Sequence, residues 1–130
     1  MRQYAQEILE RRDIHLEFDA TKPVPDFKLD ANIRRNIYLI FKESVNNIVR
    51  HSNATSVKID FTLADKELIL RVGDNGNGFD AMLEYDGNGL LSIKKRAEDC
   101  GGRLEIDSVK GAGTNIILRL KLKSAAWSWR

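Results

Sequence analysis

The sequence contains few of the residues that stabilise small secreted proteins or bind metal ions. Its 130 residues include one cysteine and two histidines, which exclude an internal disulfide and argue against a structural zinc site. No apolar run approaches the roughly 18 residues that a membrane-spanning helix needs, so we expect no direct membrane contact. The 21 basic and 19 acidic side chains leave a net charge of only +2, which argues against a nucleic-acid-binding protein.

The remaining composition is that of an ordinary globular domain, and the spacing of apolar residues predicts its helices and strands. With 42% hydrophobic residues, a chain of this length can bury a real core. In chain order we predict a helix within 1–12, a strand at 14–18, a long helix at 31–50, strands at 57–63 and 68–72, a helix at 90–100, and strands at 104–106 and 116–122. Because the strands outnumber the helices and several are joined by short turns, we predict an α+β fold, a two-layer α/β sandwich. Its mixed, mostly antiparallel sheet carries the helices on one face.

Four polar side chains fall together on one side of the predicted long helix. They lie on a stripe about a quarter-turn from the apolar face and are Glu43, Asn47, Arg50 and His51. Carboxylate and carboxamide oxygens suit a hard cation such as Mg²⁺, and a guanidinium suits a phosphate. Taken alone, the stripe is more typical of a solvated helix face.

A glycine-rich turn follows the predicted strand at 68–72. Its glycines, Gly76 and Gly78, would let the backbone approach a ligand closely, and Asp74 would be a fixed acceptor for the amino group of a purine. The alternative is a tight turn without a ligand, because Asn-Gly sequences favour hairpins.

Two further glycine-rich segments come later in the chain. Gly87 and Gly89 lead into the helix that begins near Leu90, where free backbone N–H groups can bind an anion. The segment is neither a Walker A loop nor a dinucleotide fingerprint, because the required lysine and third glycine are missing. Thr114 follows the last glycine turn and could offer its hydroxyl to a ligand or to an ordered water. A flexible loop and a plain hairpin turn are the alternatives.

The order of these motifs closely resembles the ATP-binding catalytic domain of sensor histidine kinases, within the gyrase, Hsp90, histidine kinase and MutL ATPase superfamily. The run FKESVNNIVRHSNAT looks like the asparagine box of that family, DNGNGFD like its first glycine box and GNGLLSIKKRAEDCGGRLEI like its second. The resemblance covers about Ile14 to Lys123 and is greatest to kinases of the nitrate-sensor and desaturase-regulator type. It implies a Bergerat-type ATP-binding fold.

The resemblance also implies roles for the residues of the long helix. Asn47 would hold Mg²⁺ between the phosphates of ATP, and Glu43, one turn earlier, would take part in catalysis by placing the metal or a water. Arg50 would contact phosphate and His51 would line the nucleotide.

The remaining motif residues would surround the rest of the nucleotide. By resemblance, Asp74 accepts a hydrogen bond from the adenine amino group, and Thr114 supports the adenine end. Residues 79–86 look like a lid over the triphosphate. The backbone positions implied to admit the nucleotide or cradle its phosphates are Gly76, Gly78, Gly87, Gly89 and Leu90.

The implied reaction is phosphoryl transfer from ATP to a histidine on a separate dimerisation domain, which this sequence does not contain. Residues 1–12 are interpreted as the end of a dimerisation or linker helix, 13–123 as the catalytic domain and 124–130 as a C-terminal tail. A response regulator would be a partner through a parent kinase, with this domain in the cytoplasm and the parent bound to the membrane. The alternative is a serine kinase or nucleotide-sensing protein-binding module of the same fold, like the anti-sigma factors.

Overall fold

The computed structural model of the chain describes residues 1–19, 30–64, 66–78 and 90–121. Its helices and strands are, in chain order, α1 (Arg2–Glu10), β1 (His15–Asp19), α2 (Ala31–His51), β2 (Ser56–Ala64), β3 (Glu67–Asp74), α3 (Leu90–Asp99), β4 (Arg103–Val109) and β5 (Gly113–Lys121). The strands form one sheet in the order β1-β2-β3-β5-β4. Only the β1–β2 pair is parallel among these strands, and the other pairs are antiparallel, as a mixed, mostly antiparallel sheet requires.

The sheet buries one face because its strands alternate apolar and polar side chains. The apolar set of the adjacent strands β3 and β5 is almost fully buried and consists of Leu68, Leu70, Val72, Ile116, Leu118 and Leu120. These side chains join the buried residues of the helices in one core, so the helices cover this face. Burying each such side chain contributes about 1.5–3 kcal/mol, which makes this interface the main source of stability.

Helix α2 is the long helix that the sequence predicts, and Asp30 caps its N-terminus. The side chain of Asp30 accepts a hydrogen bond of 2.7 Å from the backbone N–H of Asn32, which satisfies one of the free donors at the helix start. Ile37, Phe41 and Val45 are buried against the sheet and the other helices. The spacing of these residues fixes the rotation of the helix and leaves the polar stripe on another side.

Helix α1 is packed firmly onto the rest of the described chain. Ala5 and Leu9 are completely buried, and the Tyr4 hydroxyl donates a hydrogen bond of 3.2 Å to Oδ1 of Asn46 on α2. The interpretation of residues 1–12 as the end of a preceding dimerisation or linker helix stays a prediction.

The second half of the chain follows the sequence pattern closely. Helix α3 ends at Asp99, and Gly101 adopts a φ of 79°, the left-handed conformation that stops a helix. The lid predicted at 79–86 and the tail predicted at 124–130 lie outside the described residues. In the described parts of the chain, no helix combines the length and the apolar character needed to cross a membrane.

Candidate functional site

Three of the four residues on the polar stripe of α2 are in direct contact. Nη2 of Arg50 donates to Oε1 of Glu43 at 3.0 Å and to Oδ1 of Asn47 at 3.3 Å. Asn47 is 8% exposed, and its Nδ2 has no hydrogen-bond partner among the residues that the structure describes. His51 is the last residue of α2, but its side chain lies outside the described set. Glu43, Asn47 and Arg50 therefore form a cluster of interacting groups in which one buried polar atom has no partner among the described residues.

Asp74 and Thr114 lie directly opposite each other on neighbouring strands. Burial raises the pKa of the Asp74 carboxyl above its ordinary value, and hydrogen bonds from the backbone N–H groups of Gly76 and Thr114 partly oppose this. The bond from Gly76 is 2.8 Å long. These bonds fix the orientation of the carboxylate, as a selective acceptor for an amino group requires.

The hydroxyl of Thr114 is held by a residue that the sequence did not single out. Thr114 is buried, and its Oγ1 lies 2.7 Å from Oγ of Ser108 on β4. The pair forms because the two residues face each other across the β4–β5 ladder. Only the strand register identifies Ser108, and no local sequence signal does.

The glycines of the first turn allow two pieces of backbone to approach it. A Cβ at Gly76 would overlap with the carbonyl oxygen of Ser52, which follows α2. Gly78 has a φ of 61°, and a Cβ there would overlap with the carbonyl oxygen of Val109. Both positions therefore need glycine for packing alone, and their predicted contact with a nucleotide stays a prediction.

The first glycine turn is also bonded to the end of α2. The backbone N–H of Asn77 donates to the carbonyl oxygen of Ser52 at 2.6 Å. Ser52 follows Asn47 by five residues, about 7.5 Å along a helix axis. The turn that carries Asp74 and the stripe that carries Asn47 are therefore joined at one end of the domain.

The family described as histidine kinase-, DNA gyrase B- and HSP90-like ATPases matches residues 32–124, which span α2, α3 and the strands β2 to β5. The chain belongs to this family. As a member it is an ATP-binding ATPase domain of the kind that forms the catalytic part of sensor histidine kinases. The family predicted from the sequence motifs is confirmed, and the finer nitrate-sensor and desaturase-regulator type stays a prediction.

The chain is also similar in sequence to bacterial sensor proteins. The chain is 31% identical over 117 residues to the sensor histidine kinase LiaS of Bacillus subtilis (strain 168), covering 89% of this chain and 31% of LiaS. It is 35% identical over 117 residues to the sensor protein VraS of Staphylococcus aureus (strain COL), covering 82% of this chain and 33% of VraS. The ATPase domain therefore spans about a third of the length of these relatives.

Solved structures confirm the predicted sandwich fold. The blue-light activated histidine kinase of Erythrobacter litoralis EL346 matches with a TM-score of 0.75 at 17% identity, over 92% of this chain and 40% of that one. The histidine kinase AdeS of Acinetobacter baumannii matches with a TM-score of 0.74 at 18% identity, over 94% of this chain and 61% of that one. At these identities the likeness concerns the fold.

The oxygens of Glu43 and Asn47 fit a magnesium ion. Both already accept hydrogen bonds from one guanidinium, so they can share a single cation, and both are hard oxygen ligands. Among the described residues, no group of three or more histidine, cysteine, aspartate and glutamate side chains could hold a metal. Mg²⁺ in nucleotide sites is usually held by one or two protein oxygens together with phosphates and water, which matches this donor set.

The other implied phosphate contacts concern the start of α3. Leu90 is the first residue of α3, and its side chain is buried in the core. The first backbone N–H groups of a helix have no partner within the helix, which makes them available to an anion. Gly87 and Gly89 lie outside the described residues. The roles of all three in binding phosphate stay predictions.

Asn75, which the sequence motifs indicate only as part of a turn, forms three side-chain hydrogen bonds. Its Oδ1 accepts hydrogen bonds from the backbone N–H groups of Thr55 at 3.0 Å and Ser56 at 2.9 Å. Its Nδ2 donates to Oγ1 of Thr55 at 2.9 Å. The side chain thereby ties the Asp74 turn to the start of β2. Its partners lie some twenty residues away, which is why no local pattern revealed them.

Replacing Asn75 with alanine removes these three hydrogen bonds. We expect the free energy of unfolding to fall by about 1–2 kcal/mol, because water can replace part of what the exposed side chain provides. The affinity for ATP should fall several-fold as Asp74 loses its fixed position. Urea denaturation and calorimetric titration measure the two effects.

Asn77→Ala is the matched control in the same turn. The Asn77 side chain is exposed and makes no hydrogen bond with the described residues, and its backbone bond to Ser52 is unaffected. Equal losses in Asn75→Ala and Asn77→Ala would contradict the role assigned to Asn75.

Proposed function

We propose that this ATPase domain binds Mg²⁺–ATP and presents the γ-phosphate to a histidine on a separate dimerisation domain of a sensor kinase. The observation that supports the proposal most directly is the cluster on α2. There, the oxygens of Glu43 and Asn47 converge on one cationic group, the Arg50 guanidinium, which is itself suited to pair with phosphate.

The two ends of the nucleotide would be held by different parts of the site. Mg²⁺ on Glu43 and Asn47 would neutralise the phosphates, and Arg50 would pair with phosphate oxygens through its fork of donors. Asp74 would accept from the adenine amino group, with Thr114 supporting the adenine end. The further residues assigned to the nucleotide are His51, Gly76, Gly78, Gly87, Gly89 and Leu90.

The domain would act within a larger kinase. The sensor histidine kinase LiaS and the sensor protein VraS are about three times the length of this chain, which leaves room in such a protein for a separate dimerisation domain. We propose the same organisation here, with residues 1–12 as the end of the preceding helix, 13–123 as the catalytic domain and 124–130 as a tail. A response regulator would receive the phosphoryl group, and the domain would work in the cytoplasm beneath a membrane-bound parent.

A phosphotransfer assay tests the proposal. The chain is mixed with Mg²⁺, radiolabelled ATP and the dimerisation domain of its own parent kinase. We expect label on the dimerisation domain that is stable in base and lost in acid, as for phosphohistidine. The control is the same dimerisation domain with the acceptor histidine replaced by alanine, which should stay unlabelled.

Two outcomes would contradict the proposal. The first is the absence of label under conditions in which the complete kinase phosphorylates itself. The second is acid-stable label on a serine of another protein, which would instead support the serine kinase alternative.

A further inference from the structure

The side chain of Arg50 extends along α2 toward the start of the helix. It stands in the last turn of the helix, and its guanidinium extends back two turns to Glu43, passing Asn47 on the way. The side chain of Arg50 is 55% exposed and that of Glu43 is 33% exposed. Side chains on a helix lean toward its N-terminus, so this arrangement needs no strain.

The same two oxygens are the ones proposed for Mg²⁺. A single nitrogen, Nη2 of Arg50, contacts both of them, so the guanidinium stands where a shared cation would stand. The Asn47 carboxamide is nine-tenths buried, and its Nδ2 has no partner in the described part of the chain. Among the described residues, the side-chain hydrogen bond of Asn47 is the one from Arg50, which holds Oδ1 toward Glu43.

We infer that Arg50 is an internal cation that closes the metal site of the nucleotide-free domain, and that a nucleotide triphosphate opens the site by drawing the guanidinium onto its phosphates. The inference rests on the proposed function, because it takes Glu43 and Asn47 as the metal ligands. The inference also sets the order in which the metal and the nucleotide bind. The metal enters together with the nucleotide or after it, and does not enter alone.

The charges favour this order. Arg50 already neutralises the carboxylate of Glu43, so a divalent ion arriving alone must displace a cation and then remain close to it. A triphosphate brings several negative charges and pairs with both edges of a guanidinium, which a single carboxylate oxygen does not. Because the Arg50–Glu43 pair is partly exposed to solvent, it is weak enough to exchange.

Binding of Mn²⁺ to the nucleotide-free domain tests the inference. Mn²⁺ replaces Mg²⁺ as the probe because free Mn²⁺ is measured directly by electron paramagnetic resonance. We expect Arg50→Met to bind Mn²⁺ about tenfold more tightly than the wild type, because the competing charge is gone. Adding Glu43→Gln to Arg50→Met should abolish that gain. Arg50→Gln repeats the test with a polar side chain, and thermal melting checks the fold of each variant.

Arg35→Met is the matched control. Arg35 is an exposed residue in the first half of α2 with no ion pair to another described residue, and its replacement changes the net charge equally. We expect wild-type affinity for Mn²⁺. The inference is overturned if Arg50→Met and Arg50→Gln bind Mn²⁺ no more tightly than the wild type. It is also overturned if Arg35→Met gains as much as they do.

A second titration separates this inference from the proposed function. Because a non-hydrolysable ATP analogue chelates Mn²⁺ by itself, the titration compares the analogue alone with the analogue plus the wild-type domain, and the domain should lower free Mn²⁺ further. If it does and the Arg50 variants gain nothing without nucleotide, only the internal-cation inference fails. If the wild-type domain adds nothing to the Mn²⁺ binding of the analogue, the assignment of the metal site fails, and the inference fails with it.

Discussion

Replacing Asn47 with alanine is expected to lower the affinity for Mg²⁺–ATP by about 100-fold or more, because the substitution removes a proposed metal ligand from a buried position. The fold should be nearly unaffected. Nδ2 of Asn47 has no partner among the described residues, and Oδ1 is bonded to the exposed Arg50, so few native interactions are lost. Alanine also favours a helix more than asparagine does. Calorimetric titration with a non-hydrolysable analogue and thermal melting without nucleotide measure the two quantities.

Asn46, the neighbour of Asn47, provides a control in which stability should fall and ATP affinity should stay unchanged. Oδ1 of Asn46 accepts the hydrogen bond from Tyr4 that ties α1 to α2. Asn46→Ala should therefore lose about 1 kcal/mol of stability and keep its affinity for Mg²⁺–ATP. If Asn47→Ala were the less stable variant, or if both bound ATP equally well, the assignment of Asn47 to the metal would be wrong.

Replacing Asp74 with asparagine is expected to lower ATP affinity about 10- to 100-fold, because a charged acceptor for the adenine amino group is lost. The preference for ATP over GTP should fall with it. Titration with both nucleotides at pH 7 measures the change. An unchanged preference would contradict the assignment of Asp74 to the base.

The thermal stability of the Asp74→Asn variant should stay the same or rise, although its affinity for ATP falls. Burial raises the pKa of Asp74 in the folded domain, so the folded state binds this proton more tightly than the unfolded chain does. The resulting stabilisation is complete below the ordinary pKa of an aspartate and is lost as the pH rises through the raised value. At pH 7 the ionised carboxylate therefore reduces stability, and the uncharged variant should melt at the same temperature or higher.

A pH series checks the sign of this effect. The melting temperature of Asp74→Asn minus that of the wild type should increase between about pH 4 and pH 7. Asp107→Asn changes an exposed carboxylate on β4 that has no hydrogen bond or ion pair to the described residues, and should alter neither ATP affinity nor this pH dependence. A difference that shrinks with rising pH would contradict the explanation.

Local periodicity was sufficient to predict the elements of the fold. The polar stripe with Glu43, Asn47 and Arg50 could be predicted because residues on one helix have a known angular relation. That Arg50 bridges the other two could not, because it depends on rotamers that the sequence does not fix. The full burial of Ala5 and Leu9 depends on how α1 packs on α2 and β1, which is a tertiary contact.

The supporting residues of the site were missed for a related reason. Ser52 acts through its backbone carbonyl, which any residue type would supply. Asn75 finds its partners some twenty residues earlier, and Ser108 finds Thr114 through the register of two strands. Sequence motifs therefore indicated the residues assigned to the ligand, whereas the structure was needed to find those that hold them in place.

The tight approach of backbone to Gly76 and Gly78 affects how related sequences should be interpreted. Both positions exclude a side chain because protein atoms already fill the space, so a descendant that abandoned nucleotide binding would still need them in order to fold. Asn47 and Arg50 are not needed for folding in this way, because few of their contacts with the described residues support the fold. Surviving glycines therefore indicate the fold of such a protein, whereas under the proposed function the asparagine and arginine of the helix indicate whether it still binds ATP.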